Sequence, residues 1–181
     1  MTTLSLAACT PAPGSEIPHD AKSGGQTLSE MQKAVRSIPG LDIDADGGGR
    51  PNIKGNTGYA FDIKLDPAYE IVDGQALVEF LARSAWSVRD GYLPNATIDI
   101  TVLSDKARPF DVRAAAEQSG WATHWAVTPD NGFSTVSIYT YADAEQGSET
   151  QVTQGKKNRA RLGPWPGAVP SIPDGITAKI P

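Results

Sequence analysis

Strict alternation of apolar and polar residues over three separate stretches constrains this chain more than any other feature. Leu41-Asp42-Ile43-Asp44-Ala45-Asp46 changes character at every residue. Tyr59, Phe61, Ile63 and Leu65 alternate with Ala60, Asp62 and Lys64, and Ile98, Ile100 and Val102 alternate with Thr97, Asp99 and Thr101. Successive side chains of a strand point to opposite faces, so each stretch predicts a strand with one face buried and the other wet. Helical spacing separates these strands. Thr27 and Glu30 form a T-x-x-E capping signature ahead of Leu28, Met31, Val35 and Ile38, and Pro39-Gly40 stops that helix. Asp73 is placed to cap a second helix with Leu77, Phe80, Leu81 and Val88 on one side, widened by Val78, Ala82 and Ala85. This most apolar helix is expected to lie across a sheet. Asp111 to Ser119 predicts a short Ala-rich helix closed by Gly120. Trp121 to Thr128 and Phe133 to Tyr141 flank Pro129-Asp130-Asn131-Gly132, a hairpin signal.

The predicted order is α-β-β-α-β-α-β-β, with mixed helices and strands and no regular βαβ series. An α+β fold follows, with two layers: an antiparallel-rich sheet carrying its helices on one face. At 181 residues the chain has room for one domain of common size. The α-β-β triplet occurs at 27–65 and again at 111–141, without residue-level similarity between the two. After Tyr141 the periodic signal fades. Asp143, Glu145 and Glu149 precede the basic cluster Lys156-Lys157-Asn158-Arg159-Ala160-Arg161, and Pro164, Pro166, Pro170, Pro173 and Pro181 follow. Residues 27–142 are therefore expected to form the domain, and 143–181 a charged loop and an extended Pro-rich tail anchored by Trp165, Ile172, Ile176 and Ile180.

Leu6-Ala7-Ala8-Cys9 resembles the lipobox of bacterial lipoproteins, in which small residues precede a cysteine. Thr10-Pro11-Ala12-Pro13-Gly14-Ser15, with more Pro, Ser and Gly up to Gly25, reads as the polar tether that follows such a cysteine. The resemblance implies a diacylglycerol thioether on Cys9 and a protein held on the outer side of the bacterial cytoplasmic membrane. Two acyl chains are enough for stable anchoring, where one is marginal. Only Met1 to Ala8 precede Cys9, so residues 1–26 are expected to comprise a truncated signal remnant, the lipobox and a flexible tether.

Composition narrows the chemistry. The formal net charge is -5, from 16 Lys and Arg against 21 Asp and Glu, which argues against nucleic acid as a partner. A single cysteine excludes internal disulfides and multi-cysteine zinc sites. No run of about 18 apolar residues is present to span a bilayer. Asp42-x-Asp44-x-Asp46-Gly47 looks like the front of an EF-hand loop, but Ile53 stands where the twelfth-position acid belongs. The alternation already explains these aspartates as a strand's wet face, and neither metal nor cofactor is expected. The glycines at 47–49 lack the context of a phosphate loop, and Asn95-Ala96-Thr97 is a formal glycosylation sequon. His124 is the histidine of the folded region. Ser104, Ser137, Asp62 and Asp99 are candidate partners for it, yet none sits in a hydrolase motif. The basic cluster at 156–161 is a candidate contact for anionic lipid or wall polymer. Phe133, Tyr139 and Tyr141 share one side of the last strand, opposite Val136 and Ile138. They are the candidate binding surface for a partner protein, an envelope polymer or the chain's own tail. The function expected is non-enzymatic binding at the cell envelope. The alternative is a small envelope hydrolase using strand carboxylates or His124.

Overall fold

Reciprocal hydrogen bonds between Thr27 and Glu30 start the first helix. The Glu30 amide donates to Thr27 Oγ1 at 3.2 Å and the Thr27 amide to Glu30 Oε2 at 2.7 Å, which also holds the Glu30 carboxyl below the usual carboxylate range. The computed structural model describes residues 17–143, 145 and 147–181, and the backbone alone at positions 124–126, 128 and 130. The elements are α1 (Leu28–Val35), β1 (Leu41–Gly47), β2 (Tyr59–Leu65), β3 (Tyr69–Ile71), α2 (Gly74–Trp86), β4 (Thr97–Leu103), α3 (Val112–Gln118), β5 (Thr123–Asp130), β6 (Phe133–Tyr139), α4 (Glu149–Leu162) and β7 (Thr177–Lys179).

Five strands form one sheet in the order β1-β2-β4-β6-β5. β2 and β4 run parallel, joined through α2, and the other three neighbouring pairs are antiparallel. This is the expected α+β architecture, with the expected order of elements and three more inserted. Register stacks the apolar positions into rows across the strands. Ala45, Phe61, Ile100 and Val136 are successive partners, and all are buried. Met31 and Val35 of α1, Leu77, Val78 and Leu81 of α2, and Val112 and Ala116 of α3 complete the same core. The two α-β-β units each put their second strand beside β4 and their first at a sheet edge. Since β2 is parallel and β6 antiparallel to β4, the units are related by about a half-turn through β4. Asn131 and Gly132 turn the second hairpin at φ 61 and 82, the positive values a tight two-residue turn requires.

Three regions differ from the sequence expectation. Residues 149–162, expected as a charged loop, form α4, opened by a capping box between Ser148 and Gln151. Its buried face consists of Val152, Gly155, Asn158 and Leu162. Two of those four are not apolar, so no amphipathic stripe marks the helix in the sequence. The tail is held by β7, which pairs antiparallel with β3, and by buried Ile176, while Ile172 is exposed. Residues 17–26, expected within the tether, lie against the domain. Ile17 is buried, Leu93 donates to the Pro18 carbonyl at 2.9 Å, and Gln26 donates from its amide to Ser87 at 2.8 Å. Backbone pairing fixes this segment, and pairing of that kind leaves no hydrophobic period to read.

Candidate functional site

Helices α1, α2 and α3 cover one side of the sheet, α4 reaches the other only at the Tyr139 end of β6, and the alternation leaves a charged row on the rest of that second face. Asp42, Asp44 and Asp46 of β1 and Asp62 and Lys64 of β2 are all exposed there. Asp44 lies directly opposite Asp62, and Asp42 opposite Lys64. Like charges facing each other across a ladder destabilise it, so this pairing needs a counter-charge. Arg36 supplies part of it, reaching round from the end of α1 to Asp44 Oδ1 at 3.2 Å while its Nε donates to the Ile43 carbonyl. Gln32 likewise donates to the Ala45 carbonyl at 2.8 Å. These two side chains therefore close the outer edge of β1 to further strand pairing, while its flat face stays free.

Continuing across the sheet, Lys64 neighbours Leu103 on β4, and Leu103 neighbours Phe133 on β6. Leu103 is 47% exposed and Phe133 42%, an unusual pair of large apolar side chains to leave in water on one row. A concavity of about 310 Å³ lies between them and Asp42, Asp44 and Asp62. A second of about 430 Å³ shares Asp42 and Lys64 with it and runs over the strand ends to Asp66 and Pro67. Together they make one open trough with an apolar floor and an acidic rim.

Of the three aromatics singled out in the sequence, Phe133 alone borders the trough. Tyr139 and Tyr141 are 4% and 9% exposed and pack edge to face at 5.4 Å with Val152 of α4 against them. The chain's own C-terminal region thus covers that half of the aromatic row. Burial raises the Tyr141 pKa, reinforced by Tyr139 and Asp99. Sequence reasoning missed Leu103, whose exposure follows from its place at the end of β4 beyond the reach of α4.

The groups considered for hydrolysis fall differently. Asp99 pairs with Ala60 and Asp62 with Thr101, so the two carboxylates sit diagonally on adjacent strands and not opposite each other. Asp99 accepts from Thr97 Oγ1 at 3.0 Å. Ser104 is buried and spent on structure, donating to the Gly132 carbonyl and accepting from the Phe110 amide. Ser137 is the cross-strand partner of Asp99. Thr123 pairs with Ile138 and Ala126 with Val136, which sets the backbone of His124 and Trp125 beside Ser137. The serine therefore lies between the acid and the histidine strand, with two strand spacings of about 10 Å separating β4 from β5. A relay needs the histidine between the other two.

Asp42, Asp44 and Asp46 line up along an extended strand and do not wrap a loop, and among the described residues no three potential metal ligands converge. Asn95 of the sequon is buried, with its side chain bonded to the Thr57 amide and the Gly55 carbonyl. Half of the basic cluster is internal: Arg159 lies over the Trp86 ring at 5.5 Å and Arg161 binds Glu79, while Lys156 and Lys157 stay exposed. Cys9 lies outside the described residues. No helix is long and apolar enough to cross a membrane among the described residues. No protein family, curated protein or solved structure matches the chain.

Proposed function

We propose that the chain is a lipid-anchored extracytoplasmic domain that works by non-covalent binding at the bacterial cell envelope. The observation that carries the binding half is the uncovered trough, with Leu103 and Phe133 exposed beside Asp42, Asp44 and Asp62. The lipobox-like Leu6-Ala7-Ala8-Cys9 carries the anchoring half. Chain from Cys9 enters the domain at Ile17 and His19, beside Tyr92 and Leu93, near the Gly47, Tyr59 and Thr97 ends of the strands. The trough occupies the Leu41, Leu65 and Leu103 ends, a strand length of about 20 Å away. This separation leaves the trough clear of the point of entry, as binding by a domain tethered at Cys9 would need. A partner protein or envelope component is the expected occupant.

Expression behind an upstream secretion leader in a bacterial host tests both halves. Intact mass of the membrane fraction is expected to carry the lipid, and Cys9→Ala is expected to free the protein from the membrane. A photo-crosslinker at Thr101 is expected to give a discrete adduct that Phe133→Ser removes. An unlipidated wild type, or a Cys9→Ala form that stays on the membrane, overturns the anchor. Loss of cellular activity in folded Asp99→Asn or His124→Ala variants, both outside the trough lining, with Phe133→Ser unaffected, turns the reading to the hydrolase.

A further inference from the structure

We infer that the trough docks an extended segment of a partner protein that combines several Lys or Arg residues with one large apolar side chain; the inference rests on the binding reading above and names the occupant. Three observations converge on it. The rim is mainly anionic: Asp42, Asp44, Asp62 and Asp66 line it against Lys64, with Arg36 touching Asp44 from the edge and Arg108 bonded to the Pro67 carbonyl at the far end. Among the described residues Asp42 and Asp62 have no ion pair, and Asp62 faces Asp44 directly, so a cation placed there relieves repulsion as well as gaining attraction. The floor is apolar: Leu103 and Phe133 are exposed on the same row, within the concavity those acids border. A small inorganic cation has no use for such a floor, whereas the stem of a Lys or Arg, or a neighbouring Leu or Phe, covers it.

The geometry also selects an extended conformation. Outward residues along β1 repeat every second position, about 6.8 Å, which is the same-side repeat of any extended chain. Basic residues at alternate positions therefore keep step with Asp42 and Asp44, and Asp62 lies beside Asp44 on the next strand. The segment lies across the face and does not add as a sixth strand, because Gln32 and Arg36 already occupy the outward carbonyls of Ala45 and Ile43. Both Arg36 and Asp44 are more than half exposed at their side chains, so an incoming guanidinium displaces that pair at little cost.

The test uses the full chain and three labelled eight-residue peptides: one with arginine at alternate positions and a single phenylalanine, one with glutamate in place of arginine, and one with serine in place of the phenylalanine. Fluorescence anisotropy is expected to show binding of the first peptide, none of the second, and several-fold weaker binding of the third. The double variant Asp42→Asn/Asp62→Asn is expected to weaken the first peptide about tenfold, and Phe133→Ser to weaken it by a similar factor. Asp20→Asn/Asp174→Asn changes net charge equally but away from the trough, and is expected to leave affinity unchanged. Equal losses in the two double variants, or equal binding of the serine peptide, would mean general charge attraction and overturn the proposal. So would failure of the first peptide to bind. In that event the Thr101 crosslink decides what remains: an adduct lost with Phe133→Ser keeps the face as a binding site with a different occupant, and no adduct removes both.

Discussion

Asn158 is 1% exposed and behaves as a missing piece of strand. Its Nδ2 donates to the Ala122 carbonyl at 2.7 Å and the Tyr139 carbonyl at 2.9 Å, and its Oδ1 accepts from the Ala122 amide at 3.0 Å. Leucine there would fill the space and strand three backbone groups, so Asn158→Leu is expected to cost about 3 kcal/mol, read as a lower urea midpoint at unchanged slope. Gly155, one turn earlier, lies so close to the neighbouring chain that an added Cβ would meet the Tyr141 carbonyl oxygen at 2.2 Å. Gly155→Ala is expected to cost about 2 kcal/mol by forcing the helix outward, checked by the same denaturation. Tyr59 presents the opposite case, a buried hydroxyl with no hydrogen-bond partner among the described residues, wedged against Gly48 and Gly91. Burial and the nearby Asp90 raise its pKa, as burial raises that of Tyr141. The unfolded chain releases these protons near pH 10 while the folded chain still holds them, so stability is full below that pH and falls above it. Urea midpoints between about pH 8 and about pH 11 are expected to fall less steeply in Tyr59→Phe than in the parent, with no loss at pH 8.

α4 is held by charge and small residues more than by apolar area. Arg161 binds Glu79 of α2 and the Ser119 carbonyl, and its guanidinium lies 4.2 Å from the centre of the Trp121 ring. The ion pair is about one-third exposed on both sides, which limits its worth. Arg161→Met is expected to cost about 1 kcal/mol overall and to speed amide exchange in α4 while β4 stays protected, measured by hydrogen exchange with mass spectrometry. The same physics explains what could be read from sequence. The strands β1, β2 and β4 announce themselves by alternation because one of their faces meets a helix layer and the other meets water. α1 and α2 announce themselves by apolar spacing and by the caps at Thr27 and Asp73. α4 hides its contacts in Gly155 and Asn158, and the three-residue β3 and β7 are too short for any period. The acid row of the candidate site was legible as a wet strand face. Its apolar neighbours were not, since the fate of Phe133, Tyr139 and Tyr141 depends on how far along β6 the unread helix reaches.

A single core joins α1, α2 and α3 to the sheet, and β4 runs through its centre between the two half-turn-related units. Ile100 is fully buried on that strand, so Ile100→Ala is expected to cost about 3–4 kcal/mol. Tryptophan fluorescence and far-ultraviolet circular dichroism are expected to report one shared transition in parent and variant alike, because no boundary divides the core. The manner in which the chain enters this body sets how it meets a load. Residues 18–26 run beside 87–93, with Pro18 bonded to Leu93, Asp20 to Gly91, Ala21 to Arg89, and Gln26 to both Arg89 and Ser87. Tension arriving from upstream of Ile17 loads these bonds before it reaches α1, because they lie between the point of entry and the first helix. Peeling residues 18–26 frees nine residues, about 30 Å of contour length, before force reaches α1 and the core. A domain joined in this way yields length before it yields shape, and its entry segment acts as a shock absorber.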